Sequence, residues 1–180
     1  MVDVDKALDD AGFNNPHVRE FVTHWAGVTQ PARIEVVNAS DDARLLAEAL
    51  EAGELEPAGE GLYYSQSYWK DTARSEERTI VATSNPEDKG VYNNWRHADE
   101  IKPVVIGNMT GASEGKTMYV IPYLMAAPGS PLEAYAAGIE LTDNRSVVLQ
   151  MIRMARVGVD IFNNLADPAS FVRAVHVTGD

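Results

Sequence analysis

The run Thr117-Met118-Tyr119-Val120-Ile121-Pro122-Tyr123-Leu124-Met125 carries no charged side chain, and an unbroken apolar stretch of that length reads as a buried strand. It obliges the chain to build a core around it. At 180 residues and 45% hydrophobic content the chain has material for one ordinary domain, and no apolar run approaches the roughly 20 residues that span a bilayer. Twenty-seven acidic against fifteen basic residues give a net charge of −12, which repels phosphate backbones and anionic lipid headgroups. Neither nucleic acid nor a membrane is therefore an expected partner. Absence of cysteine removes disulfides, thiolate metal sites and a cysteine nucleophile. The acidic start MVDVDKALDD is unlike a basic export signal, so the expected location is cytoplasmic.

The charge is uneven. Residues 1–60 hold 13 acidic and 4 basic side chains, whereas residues 61–180 hold 14 and 11. Cations able to hold an anionic ligand therefore lie mostly in the later part, and the acidic first third reads as a solvated surface.

Asn15-Pro16 has the form of an N-cap and first helical residue, and Val18, Phe21, Val22 and Trp25 follow at helical spacing. Arg33–Val37 alternates like a strand, and Ser40 is placed to cap a helix packed through Leu46, Ala49 and Leu50 and ended by Gly53. Pro57 to Arg78 lacks a sustained period and reads as a long loop, the first place to look for function. Arg78–Thr83 is β-rich, and Ser84–Gly90 is an exposed turn. Asp99–Met109 is ambiguous, with Val104-Val105-Ile106 favouring a strand and Asp99, Glu100 and Pro103 a helix start. Gly138–Thr142 reads as a second buried strand. After it, Asp143 or Asn144 caps a helix with Val147, Val148, Met151, Met154 and Ala155 inward. A short helix over Val159–Leu165 and a strand over Phe171–Val177 complete the chain.

Candidate chemistry is sparse. Gly111–Thr117 approaches a phosphate-binding loop but has three residues between its glycines where four are needed, and it leads into a strand where a helix is required, so it reads as a turn. His17, His24, His97 and His176 share no metal-ligand spacing, and no nucleophile elbow is present. Tyr63, Tyr64, Tyr68 and Trp69 read as packing residues of the loop. Arg74 and Arg78, beside the long loop, are the better candidates. A guanidinium fork matches carboxylate and phosphate geometry, although Glu76 and Glu77 are also natural salt-bridge partners for it.

An ordered set of short segments is more specific than any of these. Thr29-Gln30-Pro31-Ala32-Arg33, Asp71-Thr72-Ala73-Arg74 with Glu76, Arg78-Thr79, Asn93-Asn94-Trp95, Gly115–Pro122, Gly138–Asp143, Val147-Val148, Met151–Met154 and Val175-His176-Val177 together resemble the N-terminal domain of GTP-dependent phosphoenolpyruvate carboxykinase. The resemblance implies a mixed α/β fold, a mixed sheet with flanking helices. It divides the chain into an N-terminal extension over 1–15 and the carboxykinase N-terminal, substrate-side domain over 16–180, the C-terminal nucleotide and metal lobe being absent. It also favours helix for Asp99–Met109.

The implied reaction is that of gluconeogenesis, in which oxaloacetate and GTP give phosphoenolpyruvate, GDP and CO2. Arg74 would be the substrate-binding residue, on the family's mobile substrate loop, with Arg78, Asn93 and Asn94 in support. Mn or Mg and GTP are implied for the full-length enzyme, and this chain alone is expected to bind neither and to be inactive. Its expected partners are oxaloacetate or phosphoenolpyruvate, and the missing C-terminal lobe or another protein at the interlobe face. The sequence departs from the family at Ser75, Glu77, Arg96-His97, Glu114 and Lys116. Two other readings stand beside this one: a non-catalytic anion-binding or protein-interaction module that keeps the lobe's fold, and an independent P-loop protein that would need Gly111–Thr117 to bind phosphate.

Overall fold

A computed structural model describes residues 2–66, 79–92 and 94–178. Arg74, Arg78 and Asn93, three of the four residues expected at the site, lie outside the described residues, as do Tyr68, Trp69 and most of the expected long loop.

The apolar run forms strand β6, Thr117–Leu124, in which every residue after Thr117 is buried. In chain order the elements before it are α1 (Val4–Asp10), α2 (Pro16–Thr29), β1 (Arg33–Val36), α3 (Asp42–Glu51), β2 (Glu56–Gly59), β3 (Leu62–Tyr64), β4 (Val81–Thr83), β5 (Trp95–His97) and α4 (Ala98–Met109). After it come α5 (Glu133–Ala136), β7 (Ala137–Thr142), α6 (Arg145–Met154), β8 (Arg156–Val157), α7 (Val159–Asn163) and β9 (Val172–His176).

The main sheet runs β1-β6-β7-β9, with β8 beside the far end of β6. β1 is parallel to β6, β6 antiparallel to β7, and β7 parallel to β9, so the sheet is mixed as expected. Alternation along β6 sends Met118, Val120 and Leu124 into one core with Leu8 of α1, Val18, Phe21 and Val22 of α2, and Phe162 of α7. Tyr119, Ile121 and Tyr123 enter a second core with Leu45 and Ala49 of α3 and Val148 and Leu149 of α6. Helices thus cover both faces. Within the first fifteen residues, expected as an extension, Leu8 and Phe13 are core residues.

A proline inside a central strand needs an explanation, since it cannot donate to a ladder. The carbonyl of Pro122 accepts from Gly158 N at 3.0 Å. Its nitrogen points the same way, toward the interval where β1 has ended at Val120 and β8 has yet to begin at Tyr123. Gly158 stands opposite Pro122 at the end of the β8 register, so the ring forgoes only the one reciprocal bond to the Gly158 carbonyl.

The structure corrects several local expectations. Pro57 opens a hairpin, not a structureless loop: β2 and β3 pair antiparallel around Glu60-Gly61, with Gly61 left-handed at φ 68°. These strands are too short to show a period in sequence. The helix after β1 is entered through a 3-10 turn over Ala39–Asp41 whose capping box uses Asn38 and Asp41, so Ser40 is not the cap. Leu45 and Ala49 are its fully buried residues, and Leu46 and Leu50 pack at the margin. In α6 the buried pair is Val148 and Leu149, and Met154 is 68% exposed, which rotates the inner face from the expected one. Asn144 caps this helix, accepting from Ser146 N at 2.8 Å. Asp99–Met109 lies in helix α4, in agreement with the resemblance and against its β-branched run.

Tyr123 lies directly over Gly138 across the β6–β7 ladder. A Cβ on Gly138 would fall 2.3 Å from the ring. Replacing Gly138 by alanine should therefore cost about 1–3 kcal/mol by overpacking, read as a lower denaturant midpoint. An unchanged midpoint would show that the ring moves aside freely.

Candidate functional site

The topology gathers loops at one end of the sheet. β6 begins there while β7 and β9 end there, with Tyr119, Thr142 and His176 in register across three strands. The N-terminus of α6 starts at the same end. The result is a cleft of about 840 Å³ whose walls include Glu54, Ser65, Gln66, Lys116, Asp143, Arg145, His176 and Thr178.

One wall is held by Arg145. Its Nε donates to the Tyr119 hydroxyl at 2.9 Å, and its guanidinium also donates to Glu54 Oε1 at 3.1 Å and to the Glu48 carbonyl at 3.3 Å. This joins α6, β6 and the end of α3. Burial raises the Tyr119 phenol above its ordinary range, and the Arg145 cation draws it part of the way back.

The opposite wall is organised by Asp143, whose side chain is wholly buried. Its Oδ1 accepts from Thr178 N at 2.9 Å and from Thr178 Oγ1 at 3.0 Å. Its Oδ2 accepts from Ser113 Oγ at 3.4 Å and lies 3.5 Å from Lys116 Nζ. One carboxylate thus ties the turn before β6, the junction of β7 and α6, and the segment after β9. Lys116 Nζ also donates to the Ala112 carbonyl at 3.1 Å.

Five amides of the glycine turn beside this wall are spent on the fold. Gly111 N donates to Val28 O and Ser113 N to Thr29 O, both at 2.9 Å, while the N–H groups of Ala112, Glu114 and Lys116 close local turns. Phosphate recognition at helix or loop amides requires N–H groups directed at the ligand, so this segment is a turn, as its spacing predicts. Among the described residues, no three His, Cys, Asp or Glu side chains converge in a group able to hold a metal.

Of the expected site residues, only Asn94 is described. Its Nδ2 donates to Thr79 O at 3.3 Å, and its carbonyl accepts from Val81 N at 3.0 Å. It fixes the chain where it re-enters the described structure. The other end of that interval, Ser65-Gln66, lines the cleft. Sequence reasoning gave no site role to Tyr119, Arg145 or Thr178, and offered Asp143 only as a helix cap. Lys116 and His176 stood within recognised segments, but only the strand register places them together.

The architecture is that of an α/β domain with a polar cleft at one end of a mixed sheet. A family model described as phosphoenolpyruvate carboxykinase N-terminal domain matches residues 20–180. Phosphoenolpyruvate carboxykinases (GTP) from Renibacterium salmoninarum and Paenarthrobacter aurescens are each 34% identical over 179 residues, covering 96% of this chain and 29% of those proteins. That of Corynebacterium efficiens is 31% identical over 176 residues, 94% of this chain and 28% of that protein. The chain belongs to the phosphoenolpyruvate carboxykinase N-terminal domain family. It spans about three-tenths of the length of the curated relatives it matches. Among the described residues, no helix is long and apolar enough to cross a membrane.

Two titrations follow from burial. Glu140, on β7 two residues before Thr142, has its carboxyl raised above the ordinary range by burial alone. A raised folded-state value means that its stabilising share is present below the unfolded value of about 4.3 and is lost as pH rises through the folded one. Glu140→Gln should accordingly raise the melting temperature at pH 7, and the gain should shrink as pH falls toward about 4. The phenols of Tyr119 and Tyr123 are raised by burial as well. Stability should therefore decline as pH climbs above about 10, with a shallower decline in Tyr123→Phe.

Proposed function

We propose that this chain is the substrate-side lobe of a GTP-dependent phosphoenolpyruvate carboxykinase, that it binds oxaloacetate and phosphoenolpyruvate through Arg74, and that these 180 residues by themselves do not turn over. The observation carrying the proposal is where the Arg74 segment is rooted. Ser65 and Gln66 line the cleft, and Arg74 follows Gln66 by eight residues. Eight residues span at most about 28 Å, which is enough chain for Arg74 to reach the cleft. On the far side, Thr79 is tied to Asn94. Both ligands are small polyanions, and a guanidinium fork fits their carboxylate or phosphate oxygens.

The overall reaction removes CO2 from oxaloacetate and phosphorylates the resulting enolate. Bound metal supplies charge neutralisation for phosphoryl transfer, which also needs the nucleotide phosphates held in line. What these residues contribute is substrate binding and orientation. The N–H groups of Gly111, Ala112, Ser113, Glu114 and Lys116 are committed to the fold, which speaks against the independent P-loop reading. A non-catalytic interaction module draws support from exposed apolar side chains, among them Leu62 on β3 and Tyr135 on α5, at 63% and 81% exposure. The same side chains would serve as contacts for a further lobe.

Calorimetric titration of the chain with phosphoenolpyruvate should give saturable binding, weakened about 10- to 100-fold in Arg74→Ala, the range for one charge-assisted pair. Equal affinity in the two proteins would refute the role of Arg74. A coupled assay on the chain with oxaloacetate, GTP and Mn should give only the blank rate, and phosphoenolpyruvate formation well above it would refute inactivity.

A further inference from the structure

The cleft wall built by Arg145 already holds one carboxylate, and it belongs to the protein itself. We propose that Arg145 is a ligand-binding residue of the cleft, that the ligand it takes is a small carboxylate, and that Glu54 keeps the place until such a ligand displaces it. The inference concerns carboxylates as a class and stands apart from the substrate-lobe reading.

The donors on this wall outnumber their acceptors. Arg145 Nε donates to the Tyr119 hydroxyl, and Nη1 is shared between the Glu48 carbonyl and Glu54 Oε1. Among the described residues Nη2 meets no acceptor, although a guanidinium presents its N–H groups as a fork for carboxylate oxygens. Tyr119 is 2% exposed, and its oxygen is already the acceptor for Arg145, so its own O–H is left without an acceptor among the described residues. Buried phenols ordinarily find one, and an unspent donor in a cleft wall points to a ligand. Asn144, Arg145 and Ser146, at the start of α6, line the same cleft. The first turn of that ten-residue helix carries no acidic side chain, so its positive end adds to the guanidinium.

Glu54 shows which chemistry the guanidinium accepts. Its Oε1 lies 3.1 Å from Nη1, beyond the roughly 2.7–2.9 Å of a tight charge-assisted bond, and its side chain is 44% exposed. A carboxylate held that loosely returns to water at little cost. Arg145 is 24% exposed and anchored through Nε on a buried phenol, so the guanidinium stays in place when Glu54 leaves. The exchange sets one carboxylate in place of another, which leaves the charge beside Arg145 unchanged in a chain of net charge −12. A dianionic phosphate would not exchange evenly, and this assigns the site to a carboxylate.

The test is chemical-shift titration of the 15N-labelled chain, followed at the backbone amides and at Arg145 Nε–H, with oxalate, phosphoenolpyruvate and inorganic phosphate. Wild type, Glu54→Gln, Arg145→Gln and Tyr119→Phe are compared, each first checked for a cooperative melt. Oxalate should shift Glu54, Arg145 and Ser146 saturably. Glu54→Gln should tighten oxalate about two- to five-fold, the range of one exposed ion pair, whereas Arg145→Gln should weaken it about ten-fold and Tyr119→Phe by less. Opposite signs from the two members of one salt bridge are the mark of competition, since loss of a purely structural pair would move both the same way. Should Arg145→Gln fail to fold, the Glu54→Gln result decides. Equal oxalate affinity in wild type and Glu54→Gln, tighter binding of phosphate than of oxalate, or no saturable shift with any of these ligands would overturn the inference. Phosphoenolpyruvate binding saturably while the Glu54 and Arg145 signals stay still would overturn it and leave the lobe reading standing. Oxalate binding as expected without phosphoenolpyruvate binding would support it and count against the lobe reading.

Discussion

A strand can be buried on both faces only if apolar surface lies against each of them, and β6 imposes that condition on the whole fold. Met118, Val120 and Leu124 require the layer built by α1, α2 and α7, while Tyr119, Ile121 and Tyr123 require α3 and α6. At roughly 25 cal/mol per Å² of apolar surface, these two layers supply the main driving force for folding. Both edges of β6 are also occupied, by β7 on one side and by β1 then β8 on the other. The interval between β1 and β8 is where Pro122 fits.

The same arrangement makes the cleft. Because β6 runs against β7 and β9, its first residues meet their last ones, and the loops carrying Lys116, Asp143, His176 and Thr178 converge. Asp143 joins three of those segments through fixed hydrogen bonds. A rigid wall of this kind would hold a ligand group at low ordering cost. Ser65 and Gln66, which precede Arg74 in the chain, line the same cleft.

Much of the fold was legible because its strongest signals are local. Asn15-Pro16 announces α2, the uncharged run announces β6, and the pair Asp143-Asn144 announces α6, with Asn144 proving to be the cap. The hairpin β2–β3 was not legible, since three or four residues per strand carry no period and all of them are exposed. The inner face of α6 was misjudged because Leu149 and Met154 are equally apolar, and only the position of α3 decides which is covered. Helix α4 was settled by resemblance, its local propensity pointing the other way. The site was the least legible part. Arg74 was singled out from chemistry and resemblance, but Tyr119, Arg145 and Asp143 act through partners far away in sequence, which only the sheet register brings near.

The central claim is that the loop end of this sheet is a substrate half-site. It is tested most directly by a crystal structure of the chain grown with phosphoenolpyruvate. The account predicts ligand density in the cleft lined by Ser65, Gln66, Arg145 and Thr178. Ligand density elsewhere on the surface, with the cleft holding only solvent at saturating concentration, would contradict it.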